Sequence, residues 1–339
     1  MKTWHLVVDV ALCQGCNNCR LACKDEHVGN DWPGYFRPQP LHGMRWIEVP
    51  IRERGQYPLV DVAYRPTLCT HCEDAPCVAR SGGAISKRAD GIVLIDPDKA
   101  RGHRELVQAC PYGHIKWDEE SSTPQKCTLC AHLLDKGWSQ PRCVQACGPG
   151  ALSVVYEEAE TFAERAAAEG LAVLHQRPVA GKAAANEAES PVSPALAHTG
   201  VLYKNLWRFE ACFLAGSVAV CQRGTTDCAA GARVTLRKPG QQRESAGAGQ
   251  QGESAGAGQT LPGFALIEQL PATVVTDAFG DFRFDGLRPK SGEYEVEVSW
   301  KDCEPLRLSV ILEESVNLGT ILFDLATERQ ERLRGRRCA

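Results

Sequence analysis

Cys13-Gln-Gly-Cys16-Asn-Asn-Cys19-Arg-Leu-Ala-Cys23 is the stretch whose reading decides the fold. Its spacing is C-x2-C-x2-C-x3-C. Three thiolates so spaced wrap one face of a cubane iron–sulfur cluster, and the fourth points to a different cluster. Such a run requires a partner run elsewhere in the chain. The competing reading is a zinc site or a disulfide pair, and four cysteines this close suit a cluster better than tetrahedral zinc.

Outward from it lie two more motifs. Cys69-Thr-His-Cys72-Glu-Asp-Ala-Pro-Cys77 offers three ligands, with Ser81 where a fourth is expected. Cys127-Thr-Leu-Cys130 and Cys143-Val-Gln-Ala-Cys147 form C-x2-C-x12-C-x3-C. Alone, that spacing approaches a zinc ribbon, but the orphaned Cys23 calls for it. Between these motifs another run would place ligands at Ala100, His103, Leu106 and Cys110; only Cys110 is cysteine. If each motif's first three cysteines take the last cysteine of a partner, the sets close. Cys13, Cys16 and Cys19 take Cys147. Cys127, Cys130 and Cys143 take Cys23. Cys69, Cys72 and Cys77 take Cys110. A fourth set would need Ser81, Ala100, His103 and Leu106. The losses all fall on one site, whereas random erosion would have damaged several. Three [4Fe–4S] clusters and one deleted site are expected.

Neighbouring polar residues have two readings each. His71, between two ligands, either hydrogen-bonds near a cluster or packs. His103, with Ala100, Leu106 and Ser81 around it, cannot hold a cubane and is expected to pack. Lys126 and Arg142 either tune a cluster through charge or are solvated surface charges. The aromatic residues of 32–64 line either a subunit interface or the core.

The rest of the composition narrows the class. Of 17 cysteines, five (Cys212, Cys221, Cys228, Cys303 and Cys338) follow the motifs, and are expected to be free thiols. Net charge is -4, which suggests neither nucleic acid nor an anionic membrane as partner. No run of about 18 apolar residues exists to span a membrane. The apolar run before Asp9 is too short for a signal peptide, and no twin-Arg motif precedes it. A cytoplasmic place is expected, or export on another subunit's signal.

An α+β fold follows, with ferredoxin-like cluster-binding domains at 1–180 and an irregular insertion at 25–65. A strand is expected at 4–10 and another near 45–50. A hairpin over 84–95 should turn at Asp90-Gly91. A helix is expected over 151–176, capped by Thr161 and Glu164 and ended by Gly170. Residues 181–199 read as a linker. Beyond 200, short alternating strands predict an all-β sandwich or barrel to 325: Val201–Phe209, Gly216–Cys221, Ala232–Leu236, Thr273–Thr276, Asp281–Phe284, Tyr294–Trp300, Arg307–Leu312 and Gly319–Phe323. Turns are expected at Phe279-Gly280 and Asp285-Gly286. A tandem nonapeptide repeat makes 240–262 a flexible loop, and 326–339 a charged tail.

The four-motif plan resembles the electron-transfer subunits of the dimethyl sulfoxide reductase family of molybdopterin oxidoreductases. Glu26-His27, Trp32-Pro-Gly-Tyr35, Tyr64-Arg-Pro-Thr67, Cys110-Pro-Tyr-Gly113, Gln125–Asp135 and Tyr203–Phe209 are similar to one branch: the small subunits of pyrogallol–phloroglucinol transhydroxylase and resorcinol hydroxylase. The resemblance implies a large partner subunit in a heterodimer, carrying a molybdenum bis-molybdopterin guanine dinucleotide cofactor. The aromatic substrate would bind there, leaving this chain no catalytic residue. It implies a transthyretin- or immunoglobulin-like barrel for residues 200–325, serving subunit contact. It places the Cys69–Cys110 cluster at the far end of a wire, with the deleted site just before it and so isolating it. The expected function is electron transfer in an enzyme that hydroxylates or transhydroxylates polyhydroxylated aromatics without oxygen. Two alternatives stand: a conventional relay to an external acceptor, and a non-redox metal-binding structural subunit.

Overall fold

The computed structural model describes residues 1–174, 200–241, 264–267 and 269–325. Nearly all of the 240–262 loop, the 181–199 linker and the 326–339 tail lie outside these. The chain forms two compact units. One comprises Met1–Arg52 with Ala63–Phe209, the other Glu53–Val62 with the chain from Glu210 onward.

As far as Glu210 the chain is a string of short elements that carry the motifs: β1 (Lys2–Asp9), α1 (Asn18–His27), β2 (Ile51–Gln56), β3 (Leu59–Tyr64), α2 (Pro76–Ala79), β4 (Ile85–Lys87), β5 (Val93–Ile95), β6 (Lys116–Asp118), β7 (Thr123–Gln125), α3 (Ala131–Leu134), α4 (Arg142–Gln145), β8 (Leu152–Glu158), α5 (Ala159–Ala168), β9 (Val201–Lys204) and α6 (Trp207–Glu210). A 3-10 turn occupies Arg104–Ala109. Most of the β2–β3 hairpin belongs to the second unit.

One three-stranded sheet, in the order β8-β1-β9, closes the first unit. β1 is antiparallel to β8, with Val8 opposite Leu152, and parallel to β9. Val154, Val155 and Tyr156, β-branched or aromatic, suit this strand. The helix expected from 151 therefore starts only at Ala159, with Glu158 as N-cap and Thr161 inside its first turn. Gly170, left-handed at φ 62°, follows its end. The 84–95 hairpin forms as expected, with β4 antiparallel to β5. The strand expected near 45–50 is reduced to a single bridge, Glu48 to Thr67, and the regular hairpin, β2–β3, begins at Ile51. The strand from Val201 stops at Lys204 and joins β1 rather than the β domain.

The second unit holds two larger sheets. β10 (Cys212–Gln222), β11 (Thr225–Cys228), β13 (Phe264–Leu266), β15 (Asp281–Leu287) and β18 (Val316–Asp324) form one. β12 (Arg233–Arg237), β14 (Ala272–Val275), β16 (Gly292–Ser299) and β17 (Leu306–Leu312) form the other. One core draws on both: Leu214, Val218, Phe282, Phe284 and Phe323 meet Val234, Leu236, Val296, Val298 and Leu312. Of sandwich and barrel, this is the sandwich. The turn expected at Asp285-Gly286 lies within β15. Asp285 is there instead to accept both guanidinium nitrogens of Arg54, at 2.9 and 3.1 Å, while Arg283 donates to Asp61 at 2.9 Å. A buried charge is tolerable only with such partners. Cys212, Cys221, Cys228 and Cys303 form no disulfide among the described residues.

Candidate metal centres

The register of β1 on β8 sets the first thiol group. β1 ends just before Cys13 and β8 begins just after Cys147, with the Asp9 N–H bonded to Ala151 O at 2.8 Å. Cys13, Cys16, Cys19 and Cys147 therefore line one cavity, together with Gly15, Pro66 and Leu152. Leu152 N–H donates to Cys147 Sγ at 3.3 Å. Burial, then neighbouring Cys13, raises the Cys19 thiol to about 11, with Cys147 and Cys16 adding to it.

Helix α1 carries Cys19 and Cys23 one turn apart, and α4 carries Cys143 one turn before Cys147. Each segment thus serves two sites. Cys23 is buried beside Cys127, Cys130 and Cys143, and burial followed by those thiols pushes it well above the usual range. Cys143 is raised the same way, by burial, then Cys130 and Cys127. Burial lifts Cys130 to about 12. An aromatic nest seals this second site. Burial lowers the His27 pKa to about 3 and keeps the ring neutral. Its Nδ1 donates to Cys23 O at 2.6 Å, and the ring packs on Phe36 and Trp46. Phe36 and Trp46 are core residues, which decides against an interface for these two. Tyr57, at 93% exposure, faces solvent.

Cys69, Cys72, Cys77 and Cys110 line a second cavity, with Thr70, His71, Val93 and Lys126 on its wall. Thr70 Oγ1 lies 3.1 Å from Cys72 Sγ, a contact that adjacency alone could have suggested. Burial, then Cys69, raises Cys77 to about 11. Lys126 is no surface charge: it is 3% exposed and donates to Val93 O and Cys127 O. Arg142 is partly exposed and pairs with Glu26 at 3.3 Å.

The deleted positions are filled by ordinary structure. Ala100 and Leu106 pack in an apolar cluster with Cys77, Ile85 and Ile115. Ser81 Oγ donates to Val78 O at 2.9 Å and accepts from Ile85 N–H at 3.0 Å. His103, expected to pack, is instead exposed and bonded to Glu105 at 2.7 Å. The thiol groups also neighbour one another. Cys19 bears on Cys23, and Cys69 is the neighbour that weighs most on Cys127, which burial and Cys69 together raise to about 11. Cys69 and Cys127 also share one buried cluster.

These residues fit iron–sulfur clusters. Among the described residues no three His, Cys, Asp or Glu side chains close on a single point. A zinc ion needs its thiolates within bonding reach, about 2.3 Å, of one centre, while a cubane holds them apart around a volume. Crowded, buried thiols keep their protons until a cation offsets their charge; iron would supply it and release those protons.

Comparison with known proteins agrees with this geometry. Residues 60–157 match the 4Fe-4S dicluster domain. The small subunit of pyrogallol hydroxytransferase from Pelobacter acidigallici is 39% identical over 95% of this chain and 99% of its own length. The iron-sulfur subunit of arsenate respiratory reductase from Shewanella sp. (strain ANA-3) is 31% identical over 42% of this chain and 76% of its own. A putative iron-sulfur subunit of dimethyl sulfoxide reductase from Halobacterium salinarum is 36% identical over 43% and 63%. The chain belongs to the iron–sulfur subunits of the molybdopterin oxidoreductases, in the branch of the pyrogallol hydroxytransferase small subunit.

Proposed function

We propose that this chain holds three [4Fe–4S] clusters and carries electrons for a large catalytic subunit. The ligand sets are Cys13, Cys16, Cys19 and Cys147; Cys23, Cys127, Cys130 and Cys143; and Cys69, Cys72, Cys77 and Cys110. The partner carries the molybdenum bis-molybdopterin guanine dinucleotide cofactor and hydroxylates or transhydroxylates a polyhydroxylated aromatic. The observation behind this reading is that thiols from distant segments ring two cavities in fours and crowd together, buried, at the site between them. The clusters supply reversible one-electron transfer; the chain's own residues hold them in series.

Iron and sulfide analysis tests the count. Three cubanes predict about twelve iron atoms per chain. Zinc without iron would end this reading, and about sixteen iron atoms would end the deleted site.

The adjacency of the Cys69 and Cys127 thiols favours a second reading of electron flow. All three clusters would then be in line, as in a relay to an external acceptor. Activity that needs an added electron acceptor and no hydroxylated co-substrate would select the relay; the reverse would select transhydroxylation. The sandwich is proposed as a transthyretin-like module for subunit contact, in a cytoplasmic heterodimer. No helix among the described residues is long and apolar enough to cross a membrane.

A further inference from the structure

Each of the three thiol sets includes a C-x2-C turn, at Cys13–Cys16, Cys69–Cys72 and Cys127–Cys130, in which the residue before the second cysteine is left-handed: Gly15 (φ 68°), His71 (φ 48°) and Leu129 (φ 52°). Left-handed backbone is uncommon for residues with a side chain. The turn imposes it, and what differs among the sites is what stands there. At the first turn nothing can stand, because a Cβ on Gly15 would run into the Tyr64 ring. At the Cys127 turn stands an apolar side chain, Leu129, 1% exposed. At the Cys69 turn stands an imidazole, 1% exposed, on the wall of the four-thiol cavity.

The ring's tautomer follows from its one bond. His71 Nδ1 accepts the Val93 N–H at 3.0 Å. That nitrogen therefore holds no proton, and the ring proton is on Nε2. Nε2 is buried with no hydrogen-bond partner among the described residues. A buried N–H without an acceptor is costly and needs an explanation. The ring is also held in place: Gly200 lies so close that a Cβ there would meet His71 Cβ at 2.8 Å.

We propose that His71 is a positioning residue that sets the potential of the cluster held by Cys69, Cys72, Cys77 and Cys110, its Nε2–H donating to a thiolate or sulfide sulfur of that cluster. The proposal rests on the three-cluster reading above. One-electron reduction adds negative charge to the sulfurs. A fixed N–H donor stabilises the reduced cluster more than the oxidised one. No proton changes hands. The turns carrying Gly15 and Leu129 provide no such side-chain donor.

The test uses the full chain with its clusters assembled and its partner bound. His71→Leu places on this turn the side chain that Leu129 already places on its counterpart. Redox titration followed by EPR should show one cluster's reduced-to-oxidised ratio falling about ten-fold at a fixed potential. That is a shift of about 59 mV downward for one electron, with the other two clusters unmoved. His71→Gln, whose amide can donate, should recover part of the shift. Full iron content with an unmoved potential, or equal shifts in the Leu and Gln variants, would overturn the proposal. Pulsed EPR with histidine 15N-labelled in the ring gives a second readout: a weak nitrogen coupling at the Cys69 cluster should be present in the wild type and absent in His71→Leu. No coupling, or the strong coupling of a direct ligand, would also overturn it. Iron well short of about twelve atoms in the wild type would instead defeat the cluster assignment itself.

Discussion

The cluster-binding unit is built twice on one plan, and the two halves have met different fates. In the first half α1 carries Cys19 and Cys23 and α4 leads to Cys143 and Cys147, so each segment serves two sites. In the second half α2 carries Cys77, with Ser81 at the matching next turn, and the 3-10 turn carries Leu106, with Cys110 at its next turn. One diagonal keeps its thiols and the other has become packing and a hydrogen bond. On the three-cluster proposal, losing a cluster does not require rebuilding the scaffold. Apolar side chains can occupy the inner positions, as Ala100 at 0% and Leu106 at 4% exposure do, and a short hydroxyl can tie the backbone where a thiol would point.

This comparison can be broken at graded points. The largest effect is expected from Cys110→Ser, which removes the last thiol of the surviving diagonal. It should lower iron by about a third of twelve atoms and abolish one EPR signal while sparing two; loss of all three would mean that the halves do not assemble independently. Leu106→Ala should come next. Iron should stay constant, but the variant should lose about 2–5 kcal/mol of stability, as for a buried leucine, read by denaturant unfolding of the cluster-loaded protein. An unchanged midpoint would show that Leu106 is not the packing replacement described here. The smallest effect is expected from His103→Ala. The side chain is 56% exposed, so neither iron content nor the unfolding midpoint should move; a lost cluster would reveal a hidden ligand.

The second unit was legible at the level of strand pattern, because alternation of side chains between a core and solvent survives in local sequence. Seven of the expected strands overlap β10, β12 and β14 to β18. The short strands β11 and β13 carried no such alternation. The Asp285-Gly286 pair misled, since a dipeptide common in turns can also sit in a strand when a distant arginine fixes the aspartate. The same limit explains α1, which no cap signal announces: its N-cap, Asn17, is left-handed and makes no side-chain capping bond.

At the metal centres the division is sharper. The spacing of cysteines by itself pointed to the three proposed triplets and to the positions without a thiol, because short gaps between ligands leave the backbone little freedom in where thiols can point. Only the tertiary structure decided the rest. The β1–β8 register brings Cys147 to Cys13 across more than a hundred residues of chain. Packing buries Lys126, sets the Cys69 thiol against Cys127, and leaves His71 with its proton on an unpartnered nitrogen. Those outcomes depend on long-range pairing and on the cost of burying a polar group unsatisfied, and neither is written in any local stretch of sequence.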